Sequence, residues 1–194
     1  MTIRVLGIDP GLTRCGVGVV DVDGTRRARF VDVAVIRTPT DMPLEQRLLA
    51  VGTGIEELLD RWAPDAVSLE RVFAQQNLST VMGTAQVSGV ALHVAAKRGL
   101  AVGLHTPSEV KAAITGYGSA DKKQVGAMVA RVLGLPEIPG PADAADALAI
   151  AICHAWKRGG VVAPSGISRT PAQDAWLAAE RVAAKSAPKR RLGP

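Results

Sequence analysis

The chain has few aromatic residues and few cysteines. Only 3% of its 194 residues are aromatic and 47% are hydrophobic, which predicts a well-buried aliphatic core. The two cysteines, Cys15 and Cys153, are far apart, and neither has the neighbouring ligands of a metal motif. We therefore interpret both as small core residues and expect neither a disulfide framework nor a reactive thiol.

Long apolar runs and targeting signals are also missing from the sequence. No apolar run approaches the roughly 20 residues of a membrane span. The first residues lack the basic flank, apolar block and small-residue cleavage site of a signal peptide. We therefore expect the protein to be cytoplasmic.

Most of the positive charge lies at the C-terminal end. Residues 161–194 carry six Lys and Arg against two Asp and Glu, and the net charge of the whole chain is +5. Such an end is typical of a solvated segment, and it favours non-specific attraction to a polyanion. We predict a folded domain over 1–158 and a basic, disordered tail over 159–194.

The order of strand and helix patterns predicts an α/β fold. Three strands joined by short turns, at 3–9, 14–22 and 27–37, indicate an antiparallel meander. Two further strands, at 66–69 and 101–105, alternate with helices, which implies right-handed crossovers and parallel pairing. We predict a mixed five-stranded sheet with helices on both faces, the helices being 43–62, 77–97, 108–114, 121–133 and 142–156.

The helix predicted at 77–97 is rich in small residues. It contains Gly83 and Gly89, although glycine inside a helix costs about 0.5–1 kcal/mol relative to alanine. Their presence indicates that something packs very close to this helix. Two interpretations stay open: packing on the domain's own sheet, or a subunit interface.

Four acidic residues stand where ligands are expected to bind. Asp9 and Glu70 each end an apolar strand, and ligands of such sheets bind outside the carboxyl ends of the strands. Asp143 and Asp146 open the last helix, with a spacing that puts both carboxylates on one face. An unpaired buried charge is costly, and the sequence dedicates no nearby basic residue to these acids.

A hard divalent metal would compensate this cluster. Mg²⁺ prefers oxygen ligands, and two such ions can clamp the attacking and leaving oxygens of a phosphodiester. A transition metal is disfavoured because no His or Cys joins the cluster. His105 closes a strand and is a candidate supporting group, although His105 and His154 are also interpretable as ordinary core or surface residues.

Four sequence blocks in this order and spacing resemble the RuvC family of Holliday-junction resolvases. They are GIDPG at 7–11, LERVF at 69–73, GYGSADKKQV at 116–125 and DAADALA at 143–149. The resemblance covers about residues 3–157. It implies a ribonuclease-H-like fold, in agreement with the predicted strand order.

The resemblance also implies roles for single residues. Asp9, Glu70, Asp143 and Asp146 correspond to the family's metal-binding carboxylates, which are also its catalytic residues. Phe73 corresponds to an aromatic residue that stacks on bases at the junction, although a core position for Phe73 stays open. The basic residues near the scissile phosphate correspond to Lys111 and Lys122, and we interpret Lys123 as a general phosphate contact.

The activity implied is a structure-specific endonuclease of homologous recombination and DNA repair. A homodimer would bind four-way junction DNA and make two symmetric nicks with 5′-phosphate and 3′-hydroxyl ends. The implied cofactor is Mg²⁺, two ions per active site, with Mn²⁺ as a substitute. The implied partner is the RuvA–RuvB branch-migration complex.

Three alternatives have specific requirements. An ATPase of the actin or sugar-kinase type shares the Asp-x-Gly opening, but it needs a second Gly-rich phosphate loop. A non-catalytic junction-binding relative would have lost a carboxylate, and all four are present. A RuvC-like enzyme that processes ribosomal RNA precursors is disfavoured by the blocks around Phe73 and Lys122.

Overall fold

The computed structural model describes residues 1–71 and 78–159, apart from the side chains of 78–80 and 158–159. The predicted elements are all present, and their bounds shift by at most three residues. The strands are β1 Thr2–Asp9, β2 Arg14–Asp23, β3 Ala28–Arg37, β4 Ala66–Glu70 and β5 Ala101–His105. The helices are α1 Leu44–Trp62, α2 Leu78–Lys97, α3 Pro107–Thr115, α4 Lys122–Leu133 and α5 Ala142–Gly159.

The sheet has five strands in the order β3-β2-β1-β4-β5. Strands β1, β2 and β3 pair antiparallel, whereas β4 pairs parallel with β1 and β5 pairs parallel with β4. The predicted meander followed by parallel strands is therefore confirmed. The predicted tail at 159–194 lies outside the described residues from position 160 onward. No helix in the described part of the chain is long and apolar enough to cross a membrane.

Helices cover both faces of the sheet, and each face has its own apolar core. One core joins the sheet to α1 and α2, and the other joins it to α3, α4 and α5. Alternation along β1 divides its side chains between them: Leu6 and Ile8 enter the first core, and Val5 enters the second. Asp9, an even number of residues from Val5, therefore faces α5. Cys15 and Cys153 are fully buried and unpaired, as predicted.

Helix α5 lies very close to the backbone of β1 and β2. A Cβ atom added at Gly7 would come within 2.6 Å of the Ala151 amide nitrogen. One added at Gly18 would come within 2.7 Å of the Leu148 amide nitrogen. Glycine at these strand positions, under an alanine-rich helix, is what allows this approach.

The two glycines of α2 face different surroundings. Gly83 packs against Leu12, whose Cβ atom would lie 3.4 Å from an added Cβ. Gly89 is exposed, and an added Cβ there would meet nothing within 4 Å. Gly83 thus belongs to the domain's own packing, and Gly89 lies on the outer surface. On α1, Val51, Ile55 and Leu59 are buried, whereas Leu44, the first residue of the helix, is 43% exposed.

We predict that Gly7→Ala destabilises the protein by about 1–3 kcal/mol, because the new methyl group pushes α5 away from β1. Gly24→Ala is the matched control, since an added Cβ at Gly24 has open space around it. Urea unfolding curves measure both effects. Equal midpoints for the two variants would show that α5 does not depend on this contact.

Candidate active site

Asp9 and Glu70 come together because β1 and β4 run parallel and end side by side. Ile8 pairs with Leu69 in this register, so the next residue of each strand is an acid. Both acids are partly buried and line a cleft of about 230 Å³. Asp146 of α5 lines the same cleft, together with Lys111 and Lys122.

Asp143 lies at the border of this cleft. It lines a neighbouring groove, one helical turn before Asp146 on α5. Asp143 nevertheless acts electrostatically on Asp9, whose pKa it helps to raise. The structure therefore brings three of the four predicted carboxylates into one cleft and holds the fourth at its edge.

Two basic residues contact the acids of α5. Lys122 Nζ lies 2.9 Å from Asp146 Oδ2, and Arg14 Nε lies 3.0 Å from Asp143 Oδ2. The sequence interpretation that no basic residue is close to these acids was wrong. The reason is that α4 and the start of β2, distant along the chain, both fold against the first turn of α5.

The two ion pairs differ in quality. Lys122 donates a hydrogen bond to Asp146, and this bond is the largest cause of the raised pKa of Lys122. Arg14 approaches Asp143 without the alignment of a hydrogen bond, so the buried Oδ2 atom accepts none from the described residues. Asp143 is thus only partly satisfied by its neighbour.

The cleft holds more negative charge than its cations balance. Burial first, and then Asp146 and Glu70, raise the pKa of Asp9 to about 7, while Lys122 opposes the rise. Burial and Asp146 likewise raise the pKa of Glu70, against the effects of Lys122 and Lys111. Such a site is stabilised either by taking up a proton or by binding a cation.

The donor set fits a hard divalent cation. The candidate ligands in the cleft are carboxylate oxygens, which suit Mg²⁺ and do not suit a soft metal. Within residues 1–71 and 78–159, no group of three Asp, Glu, His or Cys side chains is arranged to hold an ion by itself. Mg²⁺ does not need such a cage, because it retains waters and binds through one or two carboxylates plus substrate phosphate.

Helix caps position the two lysines of the cleft. Thr106 and Glu109 form a capping box at the start of α3, the helix that carries Lys111. Asp121 and Gln124 form another at the start of α4, next to Lys122. In the second box, the backbone N–H of Gln124 donates to the Asp121 carboxylate at 2.8 Å.

The remaining predicted residues lie elsewhere. Lys123 is exposed and does not line the cleft. Phe73 lies outside the described residues. His105 and His154 are buried and pair with each other, with 3.0 Å between His105 Nε2 and His154 Nδ1. His105 pairs with Glu70 in the β4–β5 register, so this pair is a core support behind the strand end that carries Glu70.

Sequence reasoning missed Arg14. Finding it requires the register of β1 and β2, in which Gly16 pairs with Asp9. Arg14 lies two residues before Gly16, and side chains two apart in a strand face the same side. Arg14 was therefore placed to reach the acids of α5.

Comparisons with known proteins agree with this geometry. A family model described as crossover junction endodeoxyribonuclease RuvC matches residues 5–154. A relative of that name from Leifsonia xyli is 72% identical over 98% of this chain and 99% of its own length. One from Pseudarthrobacter chlorophenolicus is 56% identical over 96% of this chain and 100% of its own.

Solved structures give the same result. Thermus thermophilus RuvC in complex with a Holliday junction substrate matches with a TM-score of 0.77 and 37% identity, over 81% of this chain and 95% of that one. The yeast mitochondrial resolvase Ydc2 shares the fold, with a TM-score of 0.59 and 15% identity over 81% of both chains. The mixed sheet, the acidic cleft and these matches together place the chain in the RuvC family of crossover junction endodeoxyribonucleases.

Proposed function

We propose that this chain resolves four-way DNA junctions in homologous recombination and DNA repair, by hydrolysing one phosphodiester bond in each of two strands. The observation that carries the proposal is the cleft in which Asp9, Glu70 and Asp146 lie with Lys111 and Lys122. Metal-dependent hydrolysis of a phosphodiester uses carboxylates that bind a divalent cation and nearby positively charged side chains that attract the phosphate. The family assignment and the junction-bound Thermus relative support the same substrate.

Membership of the RuvC family implies a requirement for a divalent metal. We propose Mg²⁺, two ions per active site, with Mn²⁺ as a substitute. Asp9, Glu70, Asp143 and Asp146 would hold them. When bound, the metal activates a water molecule for attack on phosphorus and stabilises the departing 3′ oxygen, which leaves 5′-phosphate and 3′-hydroxyl ends.

The protein's own side chains prepare the cleft for these ligands. Asp9 and Glu70 are held at strand ends, and the pKa of Asp9 is raised to about 7, so part of the Asp9 population must release a proton near neutral pH as a cation enters. Lys122 and Lys111 lie on the same cleft and would offset the charge that develops on the phosphoryl oxygens. Lys122 side-chain exposure is 77%, so it is free to move from Asp146 towards substrate.

Two symmetric nicks require two active sites, and we propose a homodimer. An isologous interface repeats one active site in the opposite orientation, as the two cleaved strands of a four-way junction require. The outer surface of α2 is the proposed interface, since it exposes apolar and small residues at helical spacing: Met82, Ala85, Gly89, Leu92 and Ala96. Gly89 permits close approach of a second helix there.

Further parts of the proposal concern residues and partners beyond the cleft. Phe73 follows Glu70 by three residues, and we propose that it stacks on junction bases, where stacking contributes about 1–3 kcal/mol. Lys123 is proposed as a general phosphate contact. We also propose association with the RuvA–RuvB branch-migration complex and residence in the cytoplasm.

Asp146→Asn should abolish junction cleavage in Mg²⁺, by about a hundredfold or more, while junction binding is retained. The reason is that the variant loses a metal ligand and a charge that repels phosphate. Cleavage of a synthetic mobile four-way junction and a gel shift in Ca²⁺ measure the two effects, with exposed Asp41→Asn as the control. Retained cleavage, or loss of binding, would contradict the assigned role.

Asp9→Asn should stabilise the protein in EDTA at pH 8, by about 2–4 kcal/mol. The pKa of Asp9 is raised to about 7 in the folded state, above its usual 3.8, so the protonated carboxyl favours folding. Its contribution is complete below about pH 4 and is lost as the pH rises through 7. Thermal melting across pH measures this difference.

The same variant provides a test of metal binding. Added Mg²⁺ should raise the melting temperature of the native protein at pH 8 and have little effect on Asp9→Asn, because ligand binding stabilises only a protein that retains the site. Equal responses of the two proteins would show that Asp9 is not a metal ligand.

Leu92→Arg should convert the dimer to a monomer, because it puts a charge on the apolar outer surface of α2. Leu49→Arg is the matched control, since Leu49 is a 63% exposed leucine on α1. Sedimentation velocity measures the assembly state. A dimer that withstands Leu92→Arg would place the interface on another surface.

A further inference from the structure

A second groove lies beside the cleft, on the far side of Asp143. Its volume is about 390 Å³, larger than the 230 Å³ of the cleft. It is formed by the turn after β1, the start of β2, the first turns of α1 and α5, and the N-terminal part of α2. Its lining residues are Gly11, Leu12, Thr13, Arg14, Arg47, Gly83, Thr84 and Asp143.

Arg47 is held in this groove by neutral groups. Its Nε atom donates to Thr38 Oγ1 and its Nη2 atom to Thr13 Oγ1, each at 2.9 Å. Thr38 is buried and donates in turn to the Leu12 carbonyl, which ties the guanidinium to the turn after β1. Arg47 forms no ion pair with a carboxylate of the described residues, so its charge is positioned and uncompensated.

Arg14 is the second cation of the groove. Its side chain is 52% exposed, and its contact with Asp143 lacks a hydrogen bond to the near oxygen. A guanidinium has five N–H donors, so Arg14 retains donors for a further acceptor. A metal ion bound by Asp143 would also neutralise the carboxylate that Arg14 contacts.

The groove and the cleft are close enough to serve one nucleic-acid strand. Asp143 and Asp146 are three residues apart on α5, a rise of about 4.5 Å. Successive phosphates of one DNA strand advance by about 3.4 Å along the helix axis. A strand whose scissile phosphate lies in the cleft would therefore bring the adjacent phosphate to the groove.

We propose that Arg14 and Arg47, with the Thr13 hydroxyl, bind a DNA backbone phosphate next to the scissile one. Arg14 is a shared cation: it contacts Asp143 in the free protein and the phosphate in the complex. Metal binding at Asp143 and strand binding in the groove therefore favour each other. The proposal rests on the function proposed above and adds a phosphate site to it.

The test compares Arg14→Gln and Arg47→Gln with Arg61→Gln. Arg61 is exposed in the last turn of α1, at the opposite end of the helix from Arg47, which makes it a control of equal charge. Fluorescence anisotropy with a synthetic four-way junction in Ca²⁺ measures the salt dependence of binding. Each lost contact should reduce the slope of log K against log salt by about 0.9 per protomer, with no change for Arg61→Gln.

A second measurement addresses the shared role of Arg14 without DNA. Arg14→Gln should lower the Mn²⁺ concentration that gives half of the maximal thermal shift, because Arg14 no longer competes for Asp143. The melting curves of this measurement also serve as the folding check for both variants, and Arg14→Gln alone carries the salt-slope test if Arg47→Gln melts early through loss of its threonine contacts.

Several outcomes would overturn the proposal. One is an unchanged salt slope of junction binding in a folded Arg14→Gln protein. Another is an equal decrease of this slope in the Arg14, Arg47 and Arg61 variants. A third is an Arg14→Gln protein that loses cleavage but keeps the salt slope of the native protein, which would limit Arg14 to orienting Asp143. If Arg14→Gln leaves the Mn²⁺ midpoint unchanged, Arg14 does not compete with the metal for Asp143. Failure of the native protein to bind or cut a junction would instead overturn the proposed function itself.

Discussion

The close contact between α5 and the backbone of β1 and β2 positions the acidic side chains of this protein. Gly7 and Gly18 leave no room for a side chain between strand and helix. The helix is held at a fixed height above the sheet, and its first turn meets the ends of the strands. Asp146 reaches the cleft of Asp9 and Glu70 for this reason, and a bulkier interface would separate them.

The same contact concentrates negative charge where water is largely excluded. Burial is the largest cause of the raised pKa of Asp9, and the neighbouring carboxylates add to it. Lys122 and Arg14 reduce this repulsion without removing it, because Lys122 is mostly exposed and Arg14 is poorly aligned. The site thus keeps negative charge that its own lysines and arginines do not neutralise, and this charge favours the binding of a cation.

Sequence patterns predicted the elements and the strand-end acids well, because these depend on local periodicity. The alternation of side chains along β1 determines which face of the sheet Asp9 lies on. The apolar strand that ends in Glu70 indicates that Glu70 lies at the same edge of the sheet as Asp9. The separation of Asp143 from the cleft was not predictable in this way. It depends on the rotation of α5 about its axis, and the contact of Arg14 depends on a register between β1 and β2.

The packing under α5 also determines whether the protein or its substrate changes shape when the two bind. Ala147 and Ala151 of α5 are fully buried over a glycine-lined sheet, a setting in which local opening is costly. The acids project from the edge of this closely packed region and have little freedom to adapt. The geometric adjustment needed for in-line attack must therefore come from the nucleic acid, which favours a branched, deformable substrate over a regular duplex.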